Sequence, residues 1–185
     1  VGAATALVLG LGTKQVMVTA PVAVALYYWF FFPETFSRVS SRRLWLAGIA
    51  AVAVVWAGVC LWLVSYSSHS AAGFGMAGLS PWVYALSQCR VVVHYLRLAV
   101  WPARLCLDYG WTPVEGLRQV WPWVLIVLGL LGVTAWGALR RRAAAFPAAL
   151  FFLVLAPTSS FYPLGDLAVE HRLYAPLASV LALIV

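Results

Sequence analysis

Asp166, Glu170, His171 and Arg172 fall together in the stretch Leu155 to Ala178, LAPTSSFYPLGDLAVEHRLYAPLA, between two strongly apolar segments. A carboxylate can take the proton from a reacting hydroxyl. A guanidinium grips phosphate with a planar, two-pronged geometry that Lys lacks. A second polar set lies in Trp82 to Trp101, where Ser87, Arg90, His94 and Arg97 recur at spacings of three, four and three. On a helix that spacing gathers them into one narrow stripe. Asp108 stands beside Trp111 in LDYGWTP, and Lys14 is an isolated cation near the start. The candidate catalytic acids are therefore Glu170, Asp166 and Asp108. The candidate phosphate-binding groups are Arg172 and Arg97 first, then Arg90, His94 and Lys14. Glu170, His171 and Arg172 are consecutive and, with a helix from Leu173 onward, cannot share one face, so Glu170 either does chemistry, caps the helix or pairs with a neighbouring Arg.

The elements that must position these residues are apolar. Hydrophobic residues make up 64% of the 185 positions, charged residues 9%, and mean hydropathy is +0.95, a balance that excludes an ordinary soluble domain. A membrane-spanning helix needs about 20 mostly apolar residues. Such runs place spans at 15–33, 44–65, 120–139 and 143–160, with partial spans at 1–13 and 173–185. The runs are continuous rather than alternating, so helices and not a barrel are expected. The fold class is all-α, a polytopic transmembrane helical bundle forming a single membrane domain cut at both ends.

Orientation follows from the basic residues. Arg38, Arg42 and Arg43 sit in one short loop and Arg140, Arg141 and Arg142 in another, which places both loops in the cytoplasm. Asp108, Glu115, Asp166 and Glu170 then fall on the opposite face with Lys14 and His69. Parity forbids a simple crossing by 82–101, so that segment is expected to be an amphipathic interfacial or re-entrant helix at the outer surface. A crossing with its polar stripe facing the bundle interior is the alternative. Trp and Tyr residues, among them Trp29, Trp62, Trp121 and Trp123, suit the two headgroup depths; Trp111 is set apart as a site residue. Arginine replaces lysine everywhere except at Lys14, and asparagine is absent, a bias of GC-rich bacterial genomes.

Several patterns point to no chemistry. Gly73, Gly75 and Gly78 match GxGxxG, yet no strand precedes them and no acid follows at about 20 residues, so a dinucleotide site is not expected. His69, His94 and His171 lack metal-ligand spacing. Cys60, Cys89 and Cys106 show no paired motif and read as packing thiols, with a Cys89 to Cys106 disulfide as the minor reading. The net charge of +7 comes from Arg clusters flanking membrane spans, which explains it without nucleic acid.

Three stretches carry a family likeness: GLGTKQVMVTAP at Gly10 to Pro21, YLRLAVWPARLCLDYGW at Tyr95 to Trp111, and LAPTSSFYPLGDLAVEHRLYAPL at Leu155 to Leu177. Together they resemble the membrane half of the TMTC-like transmembrane and tetratricopeptide-repeat proteins, bacterial relatives included. The resemblance implies a membrane glycosyltransferase of the GT-C type. Such an enzyme moves a sugar from a polyprenyl-phosphate carrier to an acceptor hydroxyl on a protein or glycan, at the extracytoplasmic face of the bacterial inner membrane. Cations would offset the charge growing on the leaving phosphate oxygen. The resemblance places the family's acidic catalytic residues in a first outer loop, upstream of Val1, and the repeats beyond this window. Where the family often has Lys then Glu, this chain has Lys14 then Gln15, which removes a carboxylate. No cofactor is implied; a divalent ion is left open.

Two other functions fit a polytopic chain. A carrier for lipid-linked sugars or solutes would show mid-span charges and paired broken helices, whereas the spans here hold Pro21, Pro147 and Pro157 but no mid-span charge. A non-catalytic anchor for protein-binding repeats would tolerate Ala at Arg97, Glu170 and Arg172.

Overall fold

The computed structural model describes residues 15–32, 79–103, 105–160 and 163–185, with Gly10 and Gly58. Apart from those two glycines, the expected spans 1–13 and 44–65 lie outside the described residues, as do Lys14, Cys60, His69, the Arg38 to Arg43 loop and residues 71–78. Among the described residues the protein is helical and has no named strand; Asp108 and Val169 form an isolated antiparallel bridge.

Among the described residues five α-helices are named: α1 Ala20–Phe31, α2 Pro81–Val100, α3 Leu117–Leu139, α4 Ala145–Leu155 and α5 Tyr174–Ile184. A 3₁₀ turn, Gln15–Thr19, leads into α1. Pro21 sits in the first turn of α1, where a missing N–H costs nothing. Ser80 caps α2 by accepting the Val83 N–H at 3.2 Å, and Pro81 starts it with a pre-set φ.

Among the described residues α3 is the one helix long and apolar enough to cross a membrane. Its 23 residues extend about 35 Å, against a hydrocarbon core of about 30 Å. Only 11% of its most apolar window is buried, so Leu125, Ile126, Leu128 and Val133 face outward. The segment expected to span at 143–160 is helical over 11 residues, about 17 Å. Pro157 has no N–H to continue the helix, and the Leu155 carbonyl is taken by the N–H groups of Thr158 and Ser159 at 3.1 and 2.8 Å. α5 is equally short.

α4 packs between α3 and α5 and also touches α1, while α2 packs along α3 and against α5. The core joins Val91, Val92, Tyr95 and Leu98 of α2 with Val127, Phe151, Leu155, Ala168, Leu173 and Val180. Gly137 permits the close turn from α3 to α4: a Cβ there would lie 2.8 Å from the Ala145 Cβ. Arg141 makes the turn itself with φ +50°. The three arginines lie on aromatic faces, Arg141 over Trp29 at 4.4 Å and Arg142 over Trp136 at 4.7 Å. The length of α3 separates this basic turn from Glu115 and the loop before it.

Candidate functional site

The helix α2 is a platform covered on two sides. After Val100 the chain turns and runs back along it: Tyr109 and Trp111 contact His94, Trp111 reaches Arg90, and the Val114 N–H donates to the Ser87 hydroxyl at 3.1 Å. The predicted polar stripe is thus real as a stripe, and it faces this returning loop. Ser87 is buried, His94 is partly buried, and Arg90 and Arg97 are exposed.

The second cover is the segment 163–170, held by side chains from another face of α2. The Tyr95 hydroxyl donates to the Val169 carbonyl at 2.7 Å and accepts the Val169 N–H at 3.0 Å. The Gln88 side-chain amide donates to the Leu167 carbonyl at 3.1 Å. The Tyr84 hydroxyl donates to the Thr158 carbonyl at 2.6 Å. Tyr84, Gln88 and Tyr95 are almost wholly buried, and a buried hydroxyl or amide needs such a partner. Burial also pushes the Tyr95 hydroxyl above its ordinary pKa, so it keeps the proton it donates.

The two covers meet at Glu170. Its Oε1 accepts the Cys106 N–H at 2.6 Å and the Tyr109 hydroxyl at 2.7 Å, and the Tyr109 N–H donates to the Ala168 carbonyl at 3.2 Å. Among the described residues Glu170 is therefore held by a tyrosine and a backbone amide, and no Arg is bonded to it. Burial, reinforced by the adjacent carboxylate, pushes the Tyr109 hydroxyl up to about 12, which keeps it protonated as a donor. His94 stacks edge-on to Tyr109, ring centres 4.8 Å apart, and lies 4.9 Å from Trp111. Its pKa is lowered by burial first, then by Arg97 and Arg90, with Glu170 opposing. His94 is thus biased toward the neutral imidazole, and its buried Nε2 has no hydrogen-bond partner among the described residues.

The other predicted residues divide in two. Arg90 lies over Trp111 at 4.2 Å, and Arg97 follows one helical turn after His94 near the end of α2. Arg172 is turned back on its own segment, donating to the Asp166 carbonyl at 2.8 Å and the Leu167 carbonyl at 3.4 Å. Asp108 closes a tight turn through Oδ1, which accepts the Gly110 N–H at 3.0 Å, with Gly110 at φ +56° where a side chain would be strained. Asp166 is exposed and His171 is exposed. Cys89 and Cys106 are free thiols. Among the described residues no three His, Cys, Asp or Glu side chains gather as a metal site.

Tyr84, Gln88, Tyr95 and Tyr109 were not among the expected site residues. The first three recur at spacings of four and seven, a helix-face signal, but nothing local names the carbonyls that they hold. Comparison with protein-family models, with curated proteins and with solved structures found no match to this chain.

Proposed function

We propose that this chain forms part of a multi-pass GT-C type glycosyltransferase of the bacterial inner membrane, taking a sugar from a polyprenyl-phosphate donor and passing it to an acceptor hydroxyl at the outer face. The observation that carries the reading is the cluster around His94: its ring meets Tyr109, which holds the carboxylate of Glu170, and Trp111, over which Arg90 lies, while Arg97 follows one helical turn later. The family likeness of the three sequence stretches supports the same donor and the same transfer; the role of Glu170 rests on its geometry alone, since the likeness places the family's catalytic acids upstream of Val1.

In this reading Arg90 and Arg97 bind the donor phosphate and offset the charge that grows on its oxygen as the anomeric C–O bond breaks. His94 adds a polar edge without a third positive charge. The acceptor oxygen forms the new bond to the anomeric carbon, and its proton passes to Glu170. The geometry suits that transfer: Oε1 is engaged by Cys106 and Tyr109, and among the described residues Oε2 is the oxygen open to the acceptor. Arg172 is a positioning residue, since its guanidinium fixes the backbone that carries Glu170. The exposed, apolar surface of α3 from Val120 to Leu139 supports an integral membrane location.

The test uses the chain in lipid nanodiscs with a radiolabelled polyprenyl-phosphate sugar. Glu170→Gln keeps an acceptor for Cys106 and Tyr109 but cannot take a proton, and is expected to lower transfer by about 100-fold or more. Transfer at the unaltered rate would reject the assignment.

A further inference from the structure

The turn between α2 and the returning loop presents four large apolar side chains to its surroundings: Val100 is 69% exposed, Trp101 70%, Leu105 61% and Leu107 81%. The start of the turn is held by its own hydrogen bonds, the Trp101 N–H to the Arg97 carbonyl at 2.7 Å and the Ala103 N–H to the Trp101 carbonyl at 2.9 Å. A clustered apolar surface of this kind marks a contact with lipid or with another protein. Two features choose lipid. Exposed Arg90 and Arg97 stand on the same helix, the charge that suits a phosphate headgroup above buried apolar side chains. α3, long and apolar enough to cross a bilayer, packs along that helix with Leu125, Ile126 and Leu128 also outward.

We infer that Val100, Trp101, Leu105 and Leu107 form a wedge that enters the acyl boundary of the bilayer and fixes Glu170 at the membrane surface. Leu105 and Leu107 flank Cys106, whose backbone N–H holds the Glu170 carboxylate, so the depth of the wedge sets the depth of the carboxylate. Resting on the glycosyltransferase reading, this adds the route of the donor: it reaches Glu170 sideways from the lipid phase, with its phosphate at the level of Arg97 and its polyprenyl chain beside the leucines.

The experiment places a bimane label on Leu107→Cys, with Cys60, Cys89 and Cys106 changed to Ser; Cys106 gives Glu170 a backbone N–H, so that contact survives. The full chain is reconstituted in vesicles of phosphatidylglycerol and phosphatidylcholine brominated at the 6 and 7 acyl positions. Quenching at position 107 at least twofold stronger than for the same label on Glu115→Cys supports the wedge, and equal quenching at the two positions overturns it. A second variant, Leu105→Glu with Leu107→Glu, is expected to lose at least tenfold in transfer from a long-chain donor but little from a water-soluble short-chain one. Equal effects on both donors overturn the route. Strong quenching at 107 in a chain without any transfer activity leaves the wedge standing and rejects the glycosyltransferase reading alone.

Discussion

Tyr95→Phe removes one oxygen and tests the clamp on which the site depends. Tyr95 is fully buried, and its hydroxyl satisfies both backbone groups of Val169, donating to the carbonyl and accepting the N–H. Phe keeps the ring in the core beside Val91, Leu98 and Ala168 but orphans the Val169 N–H and leaves the Val169 carbonyl only the Arg172 N–H, at 3.3 Å. One unsatisfied buried group costs about 1–3 kcal/mol, so a loss of about 2 kcal/mol is expected. For a chain of this size that is about 4–8 °C in Tm. Thermal unfolding in nanodiscs measures the loss, and amide exchange at Val169 locates it, because that N–H should lose protection while the amides of α3 keep theirs. Glu170 is the next residue, so transfer activity should fall with it. A change below about 0.5 kcal/mol, with Val169 still protected, would show that segment 163–170 is held by something other than α2 and would refute the clamp.

Gly137→Ala should destabilise the chain by about 1–3 kcal/mol through overpacking, since its Cβ would meet Ala145 at 2.8 Å and force α3 from α4; unchanged thermal unfolding would contradict that close approach. Ser87→Ala should cost about 1–2 kcal/mol by orphaning the buried Val114 N–H, read by unfolding and by exchange at Val114. His94 makes stability depend on pH: its folded pKa lies below the ordinary 6.5, so its contribution is complete above that pH. As pH falls below 6.5 the unfolded chain takes a proton that folded His94 resists, and stability declines until the folded pKa is passed. His94→Phe, which keeps a ring between Tyr109 and Trp111, should flatten that slope; an unaltered slope would assign it elsewhere.

Much of the scaffold was legible because apolar length and helix punctuation are local. The helix expected at 82–101 is Pro81–Val100, and the apolar run at 120–139 is the helix Leu117–Leu139, long and apolar enough to cross a membrane. The stripe Ser87, Arg90, His94 and Arg97 was readable from spacing alone. Its partner was not, because contacts with Tyr109, Trp111 and Val114 depend on a loop that doubles back. The segment 143–160 looked long enough to span by hydropathy, which weighs side chains and overlooks the backbone: Pro157 cannot donate, so α4 stops at Leu155.

Residue chemistry and period, both encoded locally, determined that this chain is helical and strongly apolar, and that its acids and its triple arginine stand far apart along the sequence. Tertiary structure decided what each polar group does. Arg172 favours phosphate by type, yet it is spent on the carbonyls of Asp166 and Leu167. Glu170 stands beside cations in sequence, yet it is held by Tyr109 and Cys106, more than 60 positions away. Side-chain type fixes which bonds are chemically open to a group; which of them form is set by the partners that folding brings within hydrogen-bond reach, on the same turning segment for Arg172 and more than 60 positions away for Glu170.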